Sequence, residues 1–209
     1  MVEERIYQAC AHFVPLLKYP TALLPVQTHT CLTWLRQEWP DAASHLEAFC
    51  TFVDESPQGE WEEVYTHTFD LQAVCAPYVG YQLFGESYKR GSFMAKLRST
   101  YRACGFQATD ELPDHLAVVL HFLGEAWSQE PDVAADLLEL CLKPALSRML
   151  SSLGEVRTPY REILEALAVV LSVARTEGVR GSSGQSPRMS IASSAKAMYL
   201  PNGAGLRPR

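Results

Sequence analysis

Six histidines, six cysteines and 24 carboxylates carry the reactive chemistry of this 209-residue chain. Their spacing assigns them to no reaction. His12, His29, His45, His67, His115 and His121 are scattered with no HExxH pair, and His115 and His121, six apart on one predicted helix, point to opposite sides. Cys10, Cys31, Cys50, Cys75, Cys104 and Cys141 lie 19 to 37 residues apart without a CxxC pair. They read as small buried hydrophobes in a reducing compartment, not as zinc ligands or a disulfide framework. Gly80 to Ser87 has the glycine spacing of a phosphate-binding loop, but Glu86 stands where the lysine is needed and would repel phosphate. There is no Gly-x-Ser-x-Gly elbow, and adjacent acids such as Glu62 and Glu63 do not share a helix face. The expectation is a protein with no catalytic residues, no metal site and no cofactor.

The elements that hold these residues read as helices throughout. Ile6, Ala9, Phe13, Leu16 and Leu17 predict a helix over about residues 3–18, Pro25 opens a second, and Asp41 is placed to cap a third. Trp61, Val64, Tyr65 and Phe69 recur along a fourth, over about 60–69, and a short helix follows Pro77 with Tyr78, Tyr81 and Phe84. The next runs from Ser87 to Cys104 with Met94, Leu97, Tyr101 and Cys104 on one face and Gly105 just beyond its end. Pro113 is placed to begin a helix reaching Trp127 with Leu116, Val119, Leu120 and Leu123 facing inward. Asp132 opens a long helix to about Leu153, kinked at Pro144, and Thr158-Pro159 opens the last. No segment alternates for long enough to compete as a strand. The fold is therefore expected to be an all-α single-domain bundle of eight or nine helices over residues 1–177. Residues 178–209, rich in Gly, Ser and Pro, are expected to be a disordered basic tail in which Ala197-Met198-Tyr199-Leu200 is either a short linear contact or featureless.

Composition narrows the class of partner. The chain is 47% apolar and 20% charged with formal net charge −6. All 24 acids and 13 of 18 basic residues precede residue 180, giving a body at −11, whereas residues 180–209 carry the other five basic residues and no acid. An acidic body repels phosphate backbones, so nucleic acid is excluded as the main ligand, and a basic peptide fits better; acidity for solubility alone is the alternative. The start Met1-Val2-Glu3-Glu4 lacks the positive region of an export signal, and the apolar stretch Ala166–Ala174 is far below the roughly 20 residues that span a bilayer. A cytoplasmic protein with no integral membrane segment is expected.

A resemblance adds to this reading. Tyr65-Thr66-His67-Thr68-Phe69-Asp70, then Phe84-Gly85-Glu86-Ser87 running into Arg90-Gly91-Ser92-Phe93-Met94, then Tyr101, Gly105 and Glu111-Leu112-Pro113-Asp114-His115-Leu116 stand in this order. The block, over about residues 60–125, resembles the nitrate reductase delta-subunit family, the NarJ-type molybdenum cofactor assembly chaperones grouped with TorD-like redox-enzyme maturation proteins. One departure is Leu120-His121-Phe122, where the family pattern usually carries an acid in place of histidine. The resemblance implies an all-helical, non-catalytic, cytoplasmic chaperone. Its partner would be the apo molybdenum-containing catalytic subunit of a respiratory nitrate reductase, held by its N-terminal segment until cofactor is inserted. A related molybdoenzyme as client, or a stable accessory subunit, are the alternatives.

A basic amphipathic segment wants an apolar floor and an acidic rim. The candidate peptide-binding residues are Tyr65, Phe69, Asp70, Arg90, Glu111, Asp114 and His115, with apolar contacts from Tyr81 or Phe84. Each has a structural alternative: Asp70 as a cap, Asp114 as a complement to its helix dipole, Arg90 as the internal partner of one of these acids. If His115 keeps its ordinary titration, affinity for a basic segment is expected to fall below about pH 6.5. The basic tail, by the same charge logic, is expected to be able to fold over an acidic groove.

Overall fold

The computed structural model describes residues 2–71, 73–108 and 111–173. The expectations for 178–209, including the tail's disorder and the contact at 197–200, lie outside the described residues. The helices are α1 (Val2–Leu16), α2 (Leu24–Glu38), α3 (Pro40–Glu55), α4 (Gln58–Phe69), α5 (Val79–Phe84), α6 (Tyr88–Ala103), α7 (Leu116–Gln129), α8 (Pro131–Leu137), α9 (Lys143–Leu153) and α10 (Tyr160–Val173). A π-helical turn, Leu138–Leu142, joins α8 to α9, so these form one continuous helical run. Among the described residues there is no strand, and the all-α bundle is confirmed.

Two helices organise the packing. α1 lies against α7, α2 and α10, and α10 lies against α3 and α9 as well. The core around them holds Ile6 and Phe13 of α1, Phe49 of α3, and Ile163, Leu167 and Val170 of α10, none of them exposed. α7 is buried nearly all round: from Leu116 to Gly124 only His121 faces solvent, the pattern of a helix enclosed by its neighbours. The expected inward stripe was thus too narrow, because Ala117, Val118 and Phe122 are buried too. His121 packs its edge on Phe106 at 5.1 Å between centroids and stands 4.0 Å from Glu125, so the departure from the family pattern sits on the outside of the bundle.

Local chemistry accounts for the other differences. Asp41 is in the first turn of α3 but does not cap it; the residue before the helix is Trp39, with Pro40 opening the turn. On α6 Leu97 and Tyr101 are buried as expected, Phe93 and Thr100 are buried too, and Met94 and Cys104 are only half-buried. Pro144 has no N–H and its ring crowds the preceding turn, and the helix answers just upstream by widening: the Lys143 N–H donates to the Leu138 carbonyl five residues back. Five cysteines are buried and Cys104 is half-buried; desolvation pushes the Cys10 and Cys141 thiols up to about 12 and leaves them protonated.

Phe122 shows how the core reaches the site. Its ring lies 4.6 Å from Tyr101 and 5.3 Å from Phe106, between α7 and the end of α6. Phe122→Ala is expected to cost about 3–5 kcal/mol, measured as a fall in the urea midpoint with an unchanged m-value.

Candidate peptide-binding site

The site begins where a helix fails to start. Pro113 was expected as the first residue of α7, but α7 begins at Leu116. The backbone of residues 114–116 is already engaged: the Val79 N–H donates to the Asp114 carbonyl at 2.7 Å and the Leu116 N–H donates to the Pro77 carbonyl at 2.8 Å. This antiparallel bridge between Tyr78 and His115 takes the groups that another helical turn would use. Tyr101 holds the same loop from α6, its hydroxyl donating to the Pro113 carbonyl at 2.8 Å.

Inside the clamp lies a buried ion pair. Asp114 has no exposed surface, and Arg90 of α6 donates to it through Nε at 2.8 Å and Nη2 at 3.4 Å. The guanidinium also stacks over Tyr78, 4.9 Å from the ring centroid, and reaches Tyr81 at 5.8 Å. Gly80 faces the pair so closely that a Cβ there would stand 2.7 Å from Asp114 Oδ2 and 2.9 Å from Phe93. Asp114 therefore does not stand on an acidic rim, and it precedes α7 instead of lying in its first turn. Arg90 is its internal partner.

His115 is only 4% exposed and caps α7: its Nδ1 accepts from the Ala117 N–H at 3.2 Å. An accepting Nδ1 places the proton of the neutral ring on Nε2. Burial lowers the pKa of His115, opposed by Glu111 and Asp114. The expected switch at ordinary histidine pH is thereby displaced to lower pH.

The exposed surface of the site comes from Asp70, Glu111, Leu112 and Tyr81. Burial, then the Glu111 carboxylate and, less, that of Asp70, raise the pKa of both Tyr65 and Tyr78, so the two acids act electrostatically on the same tyrosines. Tyr65 itself is only 7% exposed and lies against Tyr19, Phe69 and Tyr160. Phe69 turns into the core against Tyr160 at 5.2 Å, and Phe84 packs on Phe93 at 5.5 Å. The structure thus gathers Tyr65, Asp70, Tyr81, Arg90, Glu111, Asp114 and His115, with Phe69 behind them and Phe84 on the other aromatic pair. A cleft of about 660 Å³ opens beside the loop, with Arg98, Arg102 and Phe106 facing Glu111. Sequence reasoning missed Tyr78 and Gly80, although Pro77 marks the first as a backbone junction and the second has no side chain to signal with. Among the described residues no group of three or more His, Cys, Asp or Glu is arranged to hold a metal ion, and no helix is long and apolar enough to cross a membrane.

The all-helical bundle is a fold that a solved structure shares. Among solved structures, a protein of Archaeoglobus fulgidus described as a redox enzyme maturation protein is similar at a TM-score of 0.53 and 18% identity, over 82% of this chain and 94% of that one. The sequence profile described as nitrate reductase delta subunit matches residues 35–171, more than half of the chain, and the chain belongs to that family. No curated protein sequence matches it.

Breaking the ion pair from one side leaves a charge stranded. Arg90→Ala is expected to destabilise the protein by about 3–5 kcal/mol, and adding Asp114→Ala to recover part of that loss; urea unfolding of both single variants and the double variant measures the coupling. For His115, the lowered pKa means that the unfolded chain takes up the proton first as pH falls. Stability is then intact above about pH 6.5 and lost progressively below it. His115→Asn keeps an acceptor for the Ala117 N–H without the titration, so its stability is expected to fall less between about pH 7 and 5 than that of the unmodified chain.

Proposed function

We propose that this chain is a chaperone that takes up the N-terminal segment of the apo molybdenum-containing catalytic subunit of a nitrate reductase. It keeps that subunit competent for cofactor insertion and performs no chemistry itself. What supports the reading is that the family's separated motifs interact: Arg90 pairs with Asp114 in the Glu111–His115 stretch, and the carboxylates of Glu111 and Asp70 both act on Tyr65 and Tyr78. Asp70 and Glu111 are exposed, and so are Tyr81 and Leu112, which offer apolar surface. A basic amphipathic helix would lay its apolar side on Tyr81 and Leu112 and present its cations to the two acids. The Arg90–Asp114 pair would act as a positioning device, holding the loop that carries Glu111.

The name of the family favours one second reading, a subunit that stays with the enzyme. Co-purification with the mature, metal-loaded enzyme would support it, whereas association confined to the apo-enzyme supports the chaperone.

Glu111→Lys and Asp70→Lys are surface changes that spare the buried pair. Each is expected to weaken binding of a peptide from the catalytic subunit's N-terminus by about tenfold with helical content unchanged, and affinity for the unmodified chain should fall with added salt. Isothermal calorimetry at two salt concentrations measures both; affinity indifferent to salt and to both reversals overturns the acidic-rim reading.

A further inference from the structure

α9 and α10 form a helical hairpin whose outer seam is left open. A groove of about 520 Å³ runs along it, floored by Leu146, Leu150, Ala168 and Leu171. Leu146 and Leu171 are closed off by the core, while Leu150 and Ala168 remain half-buried. The two cations at the groove are each neutralised one helical turn away, Lys143 by Glu139 at 2.5 Å and Arg161 by Glu165 at 3.2 Å. A groove with an apolar floor, serine hydroxyls of Ser147, Ser151 and Ser172 along it and no net charge at its rim favours an apolar, nearly uncharged occupant.

The chain itself supplies one. Ser172 lines the groove and Val173, the last described residue, is exposed beside it, so the 36 residues from 174 to 209 depart from its edge. Their basic residues are sparse near the densest apolar run, Met198-Tyr199-Leu200: between Met189 and Leu206 the one charge is Lys196, two residues before Met198. The 24 residues from 174 to 197 are long enough to reach any part of the groove: a chain of that length extends to at most about 80 Å, and α10 is roughly 21 Å long. Tethering at that length holds the segment at a roughly millimolar effective concentration, at which a contact with a dissociation constant of about a millimolar is half-formed.

We propose that Met198, Tyr199 and Leu200 dock into the α9/α10 groove, so that the chain's own C-terminal segment covers this seam. The proposal is independent of the client reading, since it uses none of the residues around Asp114.

The test uses the full chain with the photo-crosslinking analogue p-benzoylphenylalanine in place of Tyr199. A mixture of isotope-labelled and unlabelled copies separates contacts within a chain from contacts between chains. The expected result is a within-chain crosslink to peptides covering 143–153 or 161–172, with its yield lowered at least threefold by Met198→Ser together with Leu200→Ser. Circular dichroism checks that the helices persist. Crosslinks to the Asp70 and Glu111 face, crosslinks between copies, no crosslink, or a yield indifferent to the two serines would each overturn the proposal.

Discussion

A carboxylate sealed from water must be given a cation, and at Asp114 that cation is Arg90. The surroundings follow from this demand. α6 must present Arg90 to the loop before α7, and residue 80 must lack a Cβ because Asp114 Oδ2 occupies the place. Tyr78 and Tyr81 must leave their faces to the guanidinium. The Tyr78–His115 bridge and the Tyr101 hydroxyl then hold the loop to which the carboxylate belongs. Removing one of these parts leaves the others without a reason for their positions.

A pair of this kind is weak evidence for stability, since burying two charges forfeits much of what their attraction returns; register is its best attested use. Here it fixes how α5, α6 and the start of α7 meet. Arg148 of α9 completes the arrangement by donating to the Gln82 and Leu83 carbonyls at 2.6 and 2.9 Å, a cation placed against the C-terminal end of α5. The outcome is a division of labour among acids. Asp114 is internal and positions; Asp70 and Glu111 are exposed and free to meet water or a ligand.

The legibility of this protein in its sequence was uneven for physical reasons. Helix boundaries set by local chemistry were readable to within a residue or two: Pro25 lies in the first turn of α2, Asp41 and Asp132 lie in the first turns of α3 and α8 although Pro40 and Pro131 open them, and Gly105 has the positive φ of +70° expected beyond a helix end. Boundaries set by distant backbone were not. Pro113 has every local credential of a helix start, yet Pro77 and Val79 claim the hydrogen-bonding groups of the residues that follow. Site residues divided in the same way. Asp114 and His115 stood out as motif members, but whether a carboxylate faces water or a guanidinium 24 residues away is not a property of its own segment.

The sequence by itself determined the all-α class, the helices, the identity of the motif block and, through it, the family. These rest on periodicity, turn chemistry and residue identity, all of which act over a few neighbouring residues. Only the tertiary structure decided that Asp114 is hidden, that Arg90 serves it, and that His115 caps a helix with its proton on Nε2. It also decided that the charges of Glu111 and Asp70 are felt by the same two tyrosines. Burial and charge pairing depend on which segments are brought together by the packing of the whole core, and that information is spread over the entire chain.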